Sequence, residues 1–158
     1  MEHVRNPLEI LERKGWSLPP SPAPAGLYQP SVRQERTVYI SGMLPLWEGQ
    51  LRQTGPLDDS RIEDGREAAR FCVRNALAVL QKEAGEDFGQ LERVLFLQGY
   101  VWGVEGFSQS PEVLNAASEI LNEAFGERGL HARAAVSVNG LPKGASVELT
   151  LIAALREK

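Results

Sequence analysis

The sequence predicts an α+β domain in which a single mixed sheet carries two helices on one face. Three observations lead there. Two long stretches repeat their apolar residues at helical spacing, several shorter ones are rich in β-branched and aromatic residues, and the elements follow the order β, α, β, α, β, β. A chain of 158 residues is the size of one domain.

The first 25 residues read as a short helix and a proline-rich arm, and the domain proper as residues 26–158. Asn6 can cap a helix that has Pro7 at its first position and Glu9 in its first turn; Gly15, after Arg13 and Lys14, is a plausible stop. Leu18 to Pro24 holds four prolines and must be extended. Thr37 to Gly42 reads as a strand, with a further strand around Leu27 to Arg33 as its partner. Ser60 and Glu63 have capping-box spacing, and Ala69, Cys72, Val73, Ala76, Leu77 and Leu80 then mark a helix to about Glu83. Leu91 to Trp102 is a strand, and Ser110-Pro111-Glu112 opens a second helix that Gly126 ends. Ala132 to Val138 and Val147 to Leu155 are the last two strands, joined by the turn Asn139 to Gly144. With both helices on one face, the other face of the sheet is uncovered, which points to a homo-oligomer.

The composition narrows the function. The net charge is −4, with Lys and Arg interleaved among Asp and Glu, which argues against a nucleic-acid binder. Cys72 is the one cysteine, so no intramolecular disulfide is expected. Met1 to Arg5 has no apolar stretch behind it, and no window is long and apolar enough to cross a membrane; a cytoplasmic protein is the expectation.

His3 and His131 are far from Cys72 at any ligand-like spacing, phosphate-cradling glycine motifs are missing, and Cys72 falls on the apolar face of a helix, as a packed core thiol would. Metals and cofactors have no support. The segment from His131 to Leu149 is more informative, because Arg133 leads into one apolar strand and Glu148 into the next. On residues alone, the two could be a structural ion pair or the polar groups of a site.

The run Ala132-Arg133-Ala134, Leu141-Pro142, Val147-Glu148-Leu149 resembles the C-terminal signature of the RidA/YjgF family, also called the endoribonuclease L-PSP family. Gly26-Leu27-Tyr28, Tyr39 to Pro45 with its Ser41-Gly42, and Leu114-Asn115-Ala116 are similar to other family segments, in the same order. The resemblance implies a chorismate-mutase-like fold, a homotrimer, and clefts between subunits that take small 2-keto or 2-imino acids without a cofactor. It also implies roles: Arg133 holds the carboxylate with two parallel donors, and Glu148 activates water. Tyr28, Ser41, Gly42, Asn115 and position 135 line the cleft.

Position 135 is a departure, since many family deaminases carry cysteine where this chain has Ala135. Leu27 in place of proline and the N-terminal arm are two more. Hydrolysis of reactive imines and enamines to 2-keto acids and ammonia is therefore the first expectation, non-catalytic metabolite binding the second. RNA cleavage, a label some relatives bear, is disfavoured by the acidic balance.

Overall fold

The structure is a computed structural model that describes residues 6–157. The expectation about a leader rests on Met1 to Arg5, which lie outside the described residues.

Helix α1 (Pro7–Arg13) begins as expected, with the Asn6 side chain accepting the Leu8 amide hydrogen. The arm after it lies against the body of the domain, where Trp16 and Leu18 pack on the core. Strands β1 (Ser31–Gln34) and β2 (Thr37–Met43) form a hairpin, and β3 (Leu46–Trp47) and β4 (Gln50–Leu51) a second, smaller one. The first of these strands starts four residues later than expected; Gly26 to Tyr28 is a bend. Helix α2 (Ile62–Ala84), β5 (Leu91–Trp102), α3 (Ser110–Phe125), β6 (Ala132–Val138) and β7 (Val147–Leu155) complete the chain.

One boundary differs in mechanism. Ser60 does not cap α2: Asp58 accepts both the amide and the hydroxyl hydrogen of Ser60, starting a 3₁₀ turn that runs into the helix. Glu63 reaches outward to Arg66 and Arg70 instead. The aspartate two residues earlier outcompetes the serine because a carboxylate makes the stronger, charge-assisted cap.

The main sheet has the order β1-β2-β7-β5-β6. All neighbours are antiparallel except β5 and β6, whose parallel pairing is made possible by the crossover through α3. Both long helices lie on one face, as the amphipathic patterns required. Strand β7 shows the consequence clearly, since Val147, Leu149, Leu151, Ala153 and Leu155 are buried under the helices and every residue between them is only half-buried. On the other face, Tyr39, Ile152 and Phe96 stand in one cross-strand row, and Tyr39, Val32 and Val136 are exposed hydrophobics. Among the described residues, no helix is long and apolar enough to cross a membrane, and no group of three His, Cys, Asp or Glu side chains could hold a metal.

Gly99 shows how closely α3 approaches the sheet. A Cβ at this position would lie 2.4 Å from the Leu114 Cδ1 atom. We predict that Gly99→Val lowers unfolding stability by about 1–3 kcal/mol, read as a lower urea midpoint, because the helix must lift off the strand.

Candidate functional site

Seven positions were expected to line one cleft. Within one chain they fall into two groups, on different faces and different strands of the sheet.

The first group lies where β6 meets α3. Arg133 pairs in register with Leu97, so its side chain shares the helix-bearing face. There its Nη1 donates to Asn115 Oδ1 at 2.8 Å and to Ser118 Oγ at 3.1 Å, and its Nη2 donates to the Pro111 carbonyl at 3.4 Å. Asn115 and Ser118 are three residues apart, hence neighbours on one side of the helix. Every acceptor is neutral. No described carboxylate is within ion-pair distance of Arg133, although the group is half-buried and burial lowers its pKa. The guanidinium therefore holds a positive charge that its own chain satisfies with hydrogen bonds and leaves uncancelled.

His131 and Ser118 extend this group, and the sequence reading had not singled either out for the site. His131 Nε2 lies 2.9 Å from Ser118 Oγ, and its Nδ1 lies 2.6 Å from the Gly129 carbonyl. Asn115, Ser118, Asn122, Leu130, His131 and Arg133 line one open depression. The available signal was positional: His131 is two residues before Arg133, on the same side of an extended segment, and Ser118 is one turn after Asn115.

The second group surrounds β2 and β7. Glu148 lies between Val147 and Leu149, both fully buried, so its side chain points to the face without helices. Burial raises its pKa above the ordinary carboxylate value. The pairing of β2 with β7 shifts register between Ile40 and Met43, and there Gly42 meets Glu148. A Cβ on Gly42 would lie 3.0 Å from Glu148 Oε2, so the missing side chain is what gives the carboxylate its space. Gly42 also lines a cavity of about 50 Å³ with Tyr28, Pro30, Lys143 and the arm residues Pro22 to Ala25. Tyr28 is turned toward the arm, its hydroxyl accepting the Ala25 amide hydrogen at 3.2 Å.

Two expected lining residues have local duties. The Ser41 hydroxyl donates to the Gln29 carbonyl at 2.6 Å and so ties β2 to the chain before β1. Ala135 follows Arg133 on the helix-bearing face, where it packs against the core.

An ion pair between Arg133 and Glu148 is ruled out within the chain. The two residues are on β6 and β7, separated by β5, and their side chains leave opposite faces. Cys72 is fully buried, with its thiol 3.5 Å from the Val147 carbonyl, and burial pushes its pKa well up; it is a core residue.

The profile of the family described as Endoribonuclease L-PSP matches residues 19–155. Protein TCP17 of Trypanosoma cruzi is 35% identical over 147 residues, 92% of this chain and 91% of its own. The 2-iminobutanoate/2-iminopropanoate deaminase of Mus musculus is 31% identical over 143 residues, 89% of this chain and 90% of its own. Among solved structures, Atu1372 from Agrobacterium tumefaciens, a protein of unknown function, superposes with a TM-score of 0.88 at 33% identity, covering 96% of this chain and 94% of its own. The YjgF gene product of E. coli shares the fold, with a TM-score of 0.60 at 24% identity, covering 86% and 94%. The chain belongs to the endoribonuclease L-PSP family, the RidA/YjgF family that its C-terminal strands resemble.

Proposed function

We propose that this protein binds small 2-imino and 2-keto acids in clefts between the subunits of a homotrimer and hydrolyses the imines to 2-keto acids and ammonia. The observation that carries the reading is Arg133, half-buried, hydrogen-bonded only to neutral groups and open to a depression. A guanidinium in that state is a carboxylate receptor awaiting its anion. Kinship with the mouse imine deaminase supports the choice of substrate.

Arg133 and Glu148 leave opposite faces of one chain, so a substrate that touches both needs Arg133 from one subunit and Glu148 from the next. The apolar face around Tyr39, Ile152 and Phe96 is the surface on which copies would meet.

With the carboxylate on Arg133, the imine carbon is presented to a water bonded to Glu148. The water oxygen adds to that carbon of the protonated imine while one of the water protons passes to Glu148, giving a neutral carbinolamine. The proton on Glu148 then passes to the amino nitrogen, and as the carbon–nitrogen bond breaks and ammonia leaves, the hydroxyl becomes the carbonyl and gives its proton to Glu148, which releases it to solvent. No thiol is required, so Ala135 is compatible with the chemistry. Ala135 also keeps the binding-module reading in play, and the same assay decides: keto-acid binding without turnover would select it.

Purified protein should accelerate the loss of 2-iminobutanoate. Arg133→Ala should lower kcat/KM by about 10- to 100-fold through loss of charged hydrogen bonds. Glu148→Gln should lower kcat by about 10²-fold or more with little change in KM. Undiminished rates in both variants would remove the proposal.

The pH profile has a defined sign. Glu148 works as a base only when ionised, and burial raises its pKa, so kcat/KM should fall as pH drops toward a midpoint above the ordinary glutamate value. The Gln variant should lack that acid limb. Because the charged form is the one that burial penalises, this substitution should leave folding stability at neutral pH equal or higher.

Light scattering should give three times the chain mass. Tyr39→Glu, which puts a charge in the cross-strand row of the open face, should shift the protein to monomers and abolish turnover together.

A further inference from the structure

The depression around Arg133 contains a polar pair to which the proposed reaction assigns no task. Its hydrogen-bond directions can be deduced. The Gly129 carbonyl can only accept, so His131 Nδ1 carries the ring proton and Nε2 of the neutral ring is an acceptor. The Ser118 hydroxyl must then donate to Nε2. Its remaining lone pairs face Arg133, which donates to it. Polarity thus runs one way, from the guanidinium to the hydroxyl to the imidazole, and the serine proton is committed to His131.

We propose that Ser118 and His131 are positioning residues for the carboxylate held by Arg133, and that protonation of His131 turns the serine proton toward the bound anion. Once Nε2 carries a proton it can only donate. Ser118 Oγ then accepts from both His131 and Arg133, and its own hydrogen is released to a third partner. The carboxylate on Arg133 is the acceptor within reach. Anion affinity accordingly rises as pH falls, from one added donor and one added positive charge. The inference rests on the carboxylate-binding reading above and names how that site is tuned.

The surroundings favour this response. Burial and the nearby Arg133 both hold the His131 pKa below its ordinary value, partly offset by the Gly129 hydrogen bond, so the free protein keeps the ring neutral until pH falls. A bound anion would reverse the effect of Arg133 and draw the proton in. The charged groups on the elements around His131 are Arg133 on β6, Glu92 and Arg93 on β5, Glu112, Glu119 and Glu123 on α3, and Glu127 and Arg128 in the turn before it; Glu92 pairs with Arg36 and Glu123 with Lys14. Glu112 and Glu119 are paired with Arg66, and Arg128 donates to the Phe88 and Leu91 carbonyls. Arg93 donates to the Leu130 carbonyl at the margin of the depression. No described carboxylate forms an ion pair with the imidazole, so its protonation adds positive charge to the site.

The test is calorimetric binding of pyruvate and 2-oxobutanoate, which stay ionised throughout, from about pH 5 to about pH 8 at constant ionic strength. Wild-type affinity should rise about fivefold or more toward low pH, a modest coupling between two sites. His131→Gln should flatten the profile. Ser118→Ala should lose most of the rise, and Ser118→Thr, which keeps the hydroxyl, should restore it. Glu148→Gln should retain the slope, which separates this response from titration of the carboxylate. Binding that vanishes in Arg133→Ala but shows no pH dependence, or keeps its slope in His131→Gln, overturns the inference and leaves the carboxylate site standing. Failure of the wild type to bind either acid overturns both.

Discussion

The candidate site depends on an arginine that neutral oxygens hold in place, with N–H donors to spare and a charge that no described carboxylate cancels. Arg133 could easily have been quenched, because α3 carries Glu112 and Glu119 within one turn of its partners Asn115 and Ser118. Both acids are drawn off by Arg66, which reaches from α2 to Glu112 at 3.1 Å and Glu119 at 3.5 Å while also contacting Glu63. Such exposed pairs add little to stability. Their consequence here is electrostatic: Glu112 and Glu119 are paired with Arg66, Glu112 Oε2 also accepting from Asn115 at 3.5 Å, and the atoms of α3 that accept directly from Arg133 are neutral oxygens. An incoming carboxylate then exchanges its water for a guanidinium that has no other anion to release.

The second constraint is the pleat of the sheet. A strand sends successive side chains to opposite faces, and in this sheet Arg133 belongs to the helix-bearing face and Glu148 to the bare one. Laterally they are two strands apart, roughly 10 Å, and in register they are offset by three residues, roughly another 10 Å. No rotamer change within one chain brings them together around a molecule of six or seven heavy atoms. The same alternation leaves the bare face with Tyr39, Ile152, Phe96 and Val136, an apolar surface that a lone subunit would expose to water. The separation of Arg133 from Glu148 and the bare apolar face thus follow from one geometric fact, and in the proposed assembly association of copies would relieve both.

Much of this was legible in the chain. The 3.6-residue repeat through Ala69 to Leu80, and the repeat from Val113 to Phe125, specify their helices because each must bury one stripe, and that requirement does not depend on distant residues. The family signature likewise picked out Arg133, Asn115, Gly42 and Glu148, which the structure shows as polar or sterically constrained positions. Other features depended on tertiary context. Whether Ser60 or Asp58 caps the helix turns on a competition between two adjacent polar residues, which spacing alone cannot rank. Ser41 looked like a cleft residue, yet its hydroxyl is committed to Gln29, twelve positions away. His131 was dismissed with the zinc question, since its partner Ser118 lies on another element and is brought near by the return of the chain from α3 to β6. Pairings of that kind are written in the topology, not in the local sequence.

Ala135 sharpens what chemistry the cleft can support. The chain has a single thiol, that of Cys72, and it is fully buried under β7 with its pKa raised by desolvation, so it is held as a neutral core group. Covalent thiol catalysis has no candidate. A protonated imine does not need one, because its carbon is already electrophilic and its carboxylate supplies the handle for orientation. In the proposed reaction water is the nucleophile, and the demands on the protein would reduce to two: hold the anion still, and keep a base beside the carbon whose proton affinity is high enough to take a proton and low enough to return it. Arg133 with its neutral cradle meets the first. Glu148, half-buried against Gly42 with its pKa lifted by that burial, meets the second. A larger residue at position 42 would crowd the carboxylate, since its Cβ would lie 3.0 Å from Glu148 Oε2, so the glycine keeps the space of the proposed base as Asn115 and Ser118 hold the arginine.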